Sequence, residues 1–209
     1  MMNREKNTML QSLQHSVLNV FDIDDTLVYS SAKVLVKDSA DRTVAALSTS
    51  EYNTYSLPDG CRFDYCEFRS ADIFCRTTKP IANMIRTINA AQATSKKNPK
   101  NKTVINTARA DFDDREKFLG ALSSHGIENM DKIHVHRSGN LPGNDSAAKK
   151  KLVYIREYLN AHPYTCVRMY DDSMDNLNAF LSLRDEYPNV RFCAYHVGHG
   201  GKMSKYDRR

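Results

Sequence analysis

The sequence predicts an α/β fold, a mainly parallel sheet flanked by helices, with a small β-containing insertion after the first strand. Two observations predict it. From residue 80 onward, short apolar runs of strand length alternate with stretches of helical period, the pattern of a parallel sheet with right-handed crossovers. The first apolar run, VLNVFDI at 17–23, stops abruptly in acids, as a buried strand does when it ends at a polar crevice.

Residues 1–15 are polar and read as a lead-in or a short helix. After the first strand the texture changes. KVLVKDSADRTVAALS holds two β-prone runs around the polar turn Asp38 to Arg42, which predicts a hairpin. SLPDG is a turn signal, and the Tyr-, Phe- and Cys-rich stretch behind it reads as irregular. Pro80 suits a first helical turn, and Ile81, Met84, Ile85 and Ile88 form the apolar stripe of a helix that ends at SKKNPKNK. TVIN at 103–106 is a second core strand.

Asp113 to Ser124 reads as a helix with acids in its first turn and Gly126 closing it. Strands follow at Ile133–His136, Val167–Tyr170 and Arg191–Val197, separated by helices at Leu152–Leu159 and Leu177–Leu183. GHGG at 198–201 has no following helix, so it reads as a flexible exit to a basic tail and not as a phosphate loop. The expected division is a core of residues 16–28 and 79–201, the insertion 29–78 and the tail 202–209.

The 209 residues, 41% hydrophobic and 26% charged, suit one soluble domain with a modest insertion. No run reaches the length of a membrane span, and the N-terminus lacks the apolar core of a signal peptide. Five cysteines without a CxxC pair argue for free thiols in a reducing compartment, so a cytoplasmic location is expected. A net charge of +5 is compatible with an anionic partner, nucleic acid included, without demanding one. It leaves the oligomeric state open.

The chemistry lies at the strand ends. The first core strand runs into Asp22-Ile23-Asp24-Asp25-Thr26, the second into Asn106-Thr107-Ala108-Arg109, and the fourth into Asp171-Asp172-Ser173-Met174-Asp175-Asn176. In a parallel sheet these ends share one edge, where ligands bind. Clustered carboxylates repel unless a cation or shared proton compensates, and hard oxygen ligands select Mg2+. Such an ion would favour a phosphoryl substrate. His134 and His136 share a strand face, but without a third ligand nearby they make a poor metal pair.

DIDDT after an apolar strand resembles the first motif, DxDxT, of the haloacid dehalogenase (HAD) superfamily; Thr107 resembles its second motif and DDSMDN its fourth. The resemblance implies a Rossmann-like core and a phosphatase working through an aspartyl-phosphate. Asp22 would be the nucleophile. Asp24 would protonate the leaving oxygen and then activate water, while its backbone carbonyl faces the metal. Thr107 would bind the transferring phosphoryl group, with Ala108 and Arg109 close to substrate. Asp172 aligns as a direct Mg2+ ligand beside Asp22, with Asp171 and Asn176 in support; Asp175 is harder to place. The family's lysine has three contenders, Lys149, Lys150 and Lys151, of which periodicity favours Lys151, on the face shared by Ile155 and Tyr158.

In this superfamily the insertion after the first strand selects substrate, and a small one leaves the crevice open. Tyr52, Tyr55, Phe63, Tyr65, Phe68 and Phe74 interleave with Arg62, Arg69 and Arg76, which suits either base stacking or, more simply, a small core for the insertion. EFRSADIF and TTKPI also resemble phosphatase-like proteins of tailed bacteriophages. Together these imply a nucleotide or a nucleic-acid terminal phosphate as substrate. The alternatives are a small-metabolite or sugar-phosphate phosphatase, or a non-catalytic binding protein of the same fold.

Overall fold

The computed structural model describes residues 15–52 and 54–207. The expected lead-in before His15 lies outside the described residues. The chain forms β1 (Val17–Phe21), β2 (Val28–Tyr29), β3 (Val34–Lys37), β4 (Thr43–Leu47), α1 (Thr49–Tyr52), β5 (Arg62–Asp64), α2 (Cys66–Arg69), α3 (Ala71–Thr77), β6 (Lys79–Pro80) and α4 (Ala82–Lys97). It continues through β7 (Lys102–Thr107), α5 (Arg115–Ser124), β8 (His134–Arg137), α6 (Ala147–Ala161), β9 (Cys166–Asp171), α7 (Met174–Glu186), β10 (Arg191–Gly198) and β11 (Lys202–Tyr206).

The central sheet has the order β11-β10-β9-β1-β7-β8. Every neighbouring pair in it is parallel except β10 with β11. This is the mainly parallel, Rossmann-like α/β fold expected. Alternate strand residues face opposite layers. Phe21 and Ile105 join Met84, Ile88, Phe118 and Leu122 from α4 and α5, while Val20 and Val104 join Leu152, Ile155, Leu177 and Phe180 from α6 and α7. From β1 the chain builds outward through β7 to β8, then crosses back to β9 on the other side of β1. The crevice beyond β1 and β9 is therefore the topological switch point, the place where such sheets bind ligands.

Between β2 and β6 the chain builds a separate three-stranded sheet, β4-β3-β5. The hairpin at Asp38–Arg42 forms as expected, with Asp38 Oδ1 accepting from the backbone N–H of Ala40 and Arg42 (3.0 and 2.9 Å). Val34, Val36 and Leu47 pack with Tyr52, Tyr55, Phe63 and Phe68, and the Tyr52 and Tyr65 hydroxyls hydrogen-bond at 2.8 Å. These rings thus serve as the insertion's own core, the simpler of the two sequence readings.

Three local expectations are corrected. Residues 66–77, expected to be irregular, form α2 and α3; Ser70 caps α3 by accepting from Ile73 N–H, and Phe74 is wholly buried. Pro80 does not begin α4. It pairs with Val28 in a two-strand ribbon, where its missing N–H breaks no ladder, and the helix starts at Ala82 with the expected stripe buried. Finally, Lys202–Tyr206, expected as a basic tail, forms the antiparallel edge strand β11. Its lysines suit an edge strand that must not recruit another chain, which is why polarity hid it. The turn before it needs positive φ at Gly200 and Gly201 (both 72°). Arg208 and Arg209 lie outside the described residues.

All five cysteines are free thiols. Among the described residues no helix is long and apolar enough to cross a membrane.

Candidate active site

β1 delivers Asp22 to the switch point, its N–H bonded to Tyr170 O of β9 (3.0 Å). The chain then turns sharply. Asp25 takes a left-handed conformation (φ 54°), one that aspartate tolerates better than most residues, and Leu27 and Val28 N–H both return to Ile23 O (2.8 and 3.0 Å). This turn keeps Asp24 and Asp25 beside the crevice. Asp25 Oδ2 accepts from Thr49 Oγ1 (3.1 Å), a contact from the insertion.

Of the three contending lysines, Lys151 reaches the site. Its Nζ donates to Asp22 Oδ1 at 2.7 Å and to Asp171 Oδ2 at 2.8 Å, with the side chain only 1% exposed. Lys149 is exposed and lies 3.7 Å from Asp145, and Lys150 donates to Leu141 O (2.7 Å). α6 is anchored against β7 here by Asn106, whose Nδ2 donates to Lys151 O (2.9 Å). Burial alone would lower the ammonium's pKa, but Asp171 and Asp22 together raise it, so Lys151 stays charged.

Asp22, Asp171 and Asp172 each offer a carboxylate oxygen within 4.8 Å of the others. One ammonium cannot balance three carboxylates. Burial, and then the charges of Asp171, Asp172 and Asp24, hold Asp22 well above the ordinary aspartate value although Lys151 pulls the other way. Burial and Asp171 push Asp172 up to about 7. The roles within the cluster differ. Asp171 Oδ1 accepts from Ser173 N–H (3.0 Å) and Asn176 Nδ2 (2.9 Å) and its Oδ2 from Lys151, so its oxygens are engaged by the protein. Asp172 accepts no hydrogen bond from another side chain among the described residues. A buried, all-oxygen, negatively surplus cluster fits a hard divalent cation, with Asp22 and Asp172 carrying the available oxygens. Asp175 is exposed in the first turn of α7.

Thr107 ends β7, buried, with its Oγ1 accepting from Arg109 N–H (3.2 Å); Ala108 is exposed. Arg109, expected near substrate, turns inward. Its Nε and Nη2 donate to Asp24 Oδ2 and Oδ1 at 2.8 and 2.6 Å.

The residues that buttress this loop were not singled out from sequence. Ser138 Oγ donates to Thr107 O (2.7 Å), and Asn140 Oδ1 accepts from Asp111 N–H (3.0 Å). Gly139 lies so close that a Cβ there would sit 2.4 Å from Ala108 O and 2.8 Å from Ala110 N. SGN was readable as a turn signal, but its target lies some thirty residues earlier. Gly139→Ala should therefore displace the Thr107–Ala110 backbone and cost about 1–3 kcal/mol, as overpacking does. Gly120→Ala, at an exposed helical position with nothing within 4 Å, should be neutral or slightly stabilising. Thermal unfolding of both variants checks this; equal midpoints would show that the loop gives way freely.

No known family model matches the chain, and no protein of curated function does. Among solved structures, the HAD domain of effector protein Lem4 from Legionella pneumophila is similar at 12% identity and a TM-score of 0.48, over 88% of this chain and 87% of that one.

Proposed function

We propose that this chain is a HAD-type, Mg2+-dependent phosphomonoester hydrolase. The observation that carries the reading is Lys151, buried and bonded to both Asp22 and Asp171 with Asp172 alongside. An ammonium so placed favours the ionised, attacking form of Asp22 against burial and the neighbouring acids and faces the anionic group that it attacks. Mg2+ held by Asp22, Asp172 and the Asp24 backbone carbonyl would add charge neutralisation at the phosphoryl oxygens.

Asp22 attacks phosphorus and the ester P–O bond breaks, the departing oxygen taking a proton from Asp24. The aspartyl-phosphate is then cleaved by water, whose proton passes to Asp24, releasing inorganic phosphate and regenerating the Asp22 carboxylate. Thr107 supplies a hydroxyl to the transferring group.

For substrate, the net charge of +5 and the resemblance to phage-encoded phosphatase-like proteins support a nucleotide or a nucleic-acid terminal phosphate. One observation favours a small phosphorylated metabolite instead. Tyr52, Tyr55, Phe63 and Phe68 pack into the insertion's own core, and the insertion is tied to the site floor through Thr49 and Asp25.

Phosphate release from nucleoside monophosphates, sugar phosphates and an end-phosphorylated oligonucleotide tests both levels. Release in Mg2+ that stops in EDTA is expected, and the preferred member assigns the substrate class. No release from any of them would sink the hydrolase reading and favour a non-catalytic binding role.

A further inference from the structure

We infer that Arg109 is a positioning residue for Asp24; this rests on the proton-carrying role proposed for Asp24. The Arg109 side chain is 2% exposed. Its Nε and Nη2 grip both oxygens of Asp24 at 2.8 and 2.6 Å, while Nη1 donates to Phe68 O (3.1 Å) and Nη2 also to Ser30 Oγ (3.2 Å). The guanidinium lies over the ring of Phe68, 4.5 Å from its centroid, with Phe74 and Phe112 at 5.1 and 5.6 Å. All three nitrogens are thus taken up inside the protein, so the group is built to hold a carboxylate still and not to meet a phosphate.

A planar fork bonded to both carboxylate oxygens fixes the plane of that carboxylate, which a single-point ammonium cannot do. The remaining lone pairs of Asp24 are then held in fixed directions within that plane. Proton transfer in a transition state depends steeply on such alignment, a misplacement of about 1 Å costing on the order of 100-fold. The anchors of Arg109 matter equally. Phe68 belongs to α2 and Ser30 follows β2, so both lie in the excursion between the first strand and α4. The orientation of Asp24 is therefore set by how that excursion seats on the core, through one buried side chain.

The test compares kcat/KM for an alkyl phosphomonoester, whose leaving oxygen needs a proton, with that for p-nitrophenyl phosphate, whose leaving group does not. Arg109→Lys should lower the alkyl value by about 100-fold and the p-nitrophenyl value by less than about 10-fold, the same selectivity as Asp24→Asn. The double variant should fall within about threefold of Asp24→Asn alone, because a positioning residue has nothing left to position. Equal losses on both esters, or additive losses in the double variant, would overturn the positioning role while leaving the hydrolase intact. Absence of release by the wild-type protein would overturn both. Should Arg109→Lys not fold, the 15Nε–1H resonance of Arg109 decides the matter. It should shift and lose exchange protection in Asp24→Ala, and an unchanged resonance would refute the clamp.

Discussion

Asp22→Asn should lower phosphate release by on the order of 10,000-fold or more, as loss of a nucleophile does, and yet leave the protein folded. The fold survives because Lys151 keeps its second partner, Asp171, at 2.8 Å. The pH dependence of stability separates this from general damage. In the wild type without metal, burial holds the Asp22 carboxyl well above the ordinary aspartate range, so the folded state binds that proton more tightly than the unfolded chain does. Stability from this group is present at acidic pH and is lost as pH rises from about 4 through the raised folded value. An asparagine has no proton to lose. The variant's stability curve should therefore be flatter over that range, with a midpoint in EDTA near pH 8 equal to or above the wild type's. Mg2+ should raise the wild-type midpoint through binding linkage and raise the variant's much less. Substantial Mg2+-dependent turnover in Asp22→Asn would remove Asp22 as nucleophile, and a collapsed midpoint would show that its charge is structural.

Much of this site could be read from sequence because its parts are local. An apolar strand that stops in acids needs only five or six residues to be recognised, and two such strands in a βα alternation fix a common edge. Lys151 was separable from its neighbours because a helical period places it with Ile155, and Ile155 is wholly buried in the core. The parts that escaped are those whose reason lies far off in the chain. Arg109 grips Asp24 across 85 positions, and no spacing rule connects them. Gly139 is dictated by the Ala108 backbone, not by its own turn. β11 is polar because it is an edge, so composition argued for a tail where hydrogen bonding to β10 made a strand. At α2 and α3 the helices are short and held by aromatic contacts, Phe74 against Phe112 and Phe118, so periodicity had too little length to register.

The excursion between β2 and β6 also acquires a meaning that its composition did not carry. It touches the floor of the site at two points, Thr49 to Asp25 and Phe68 with Ser30 to Arg109. The first contact ends on the loop after Asp22, and the second reaches that loop through Arg109, which follows β7 and grips Asp24. A segment expected only to select substrate therefore also supports the acids themselves, and substitutions in it should alter turnover as well as affinity.

The second large effect is expected at Lys151. Lys151→Met keeps the length of the aliphatic stem and removes the charge, leaving Asp22 and Asp171 buried without the ammonium that bridges them. Removing one partner of a buried ionic cluster costs about 3–5 kcal/mol, or roughly 6–20 °C in the midpoint of a chain this size. Here too the sign of the pH dependence identifies the cause. Lys151 pulls the Asp22 carboxyl down against burial and the neighbouring acids, so without it that carboxyl rises further. The folded variant then holds its protons over a wider range than the wild type, and its stability falls more steeply as pH climbs above about 4. The deficit measured in EDTA should accordingly be small near pH 5 and large near pH 8. A deficit of the same size at both would mean that Lys151 matters for packing and not for charge. Lys151→Arg is no rescue by this argument, since a rigid planar fork does not replace the point ammonium that bridges Asp22 and Asp171 at 2.7 and 2.8 Å. Turnover should vanish in both variants, because the group proposed to face the transferring phosphoryl is the same one that bridges Asp22 and Asp171.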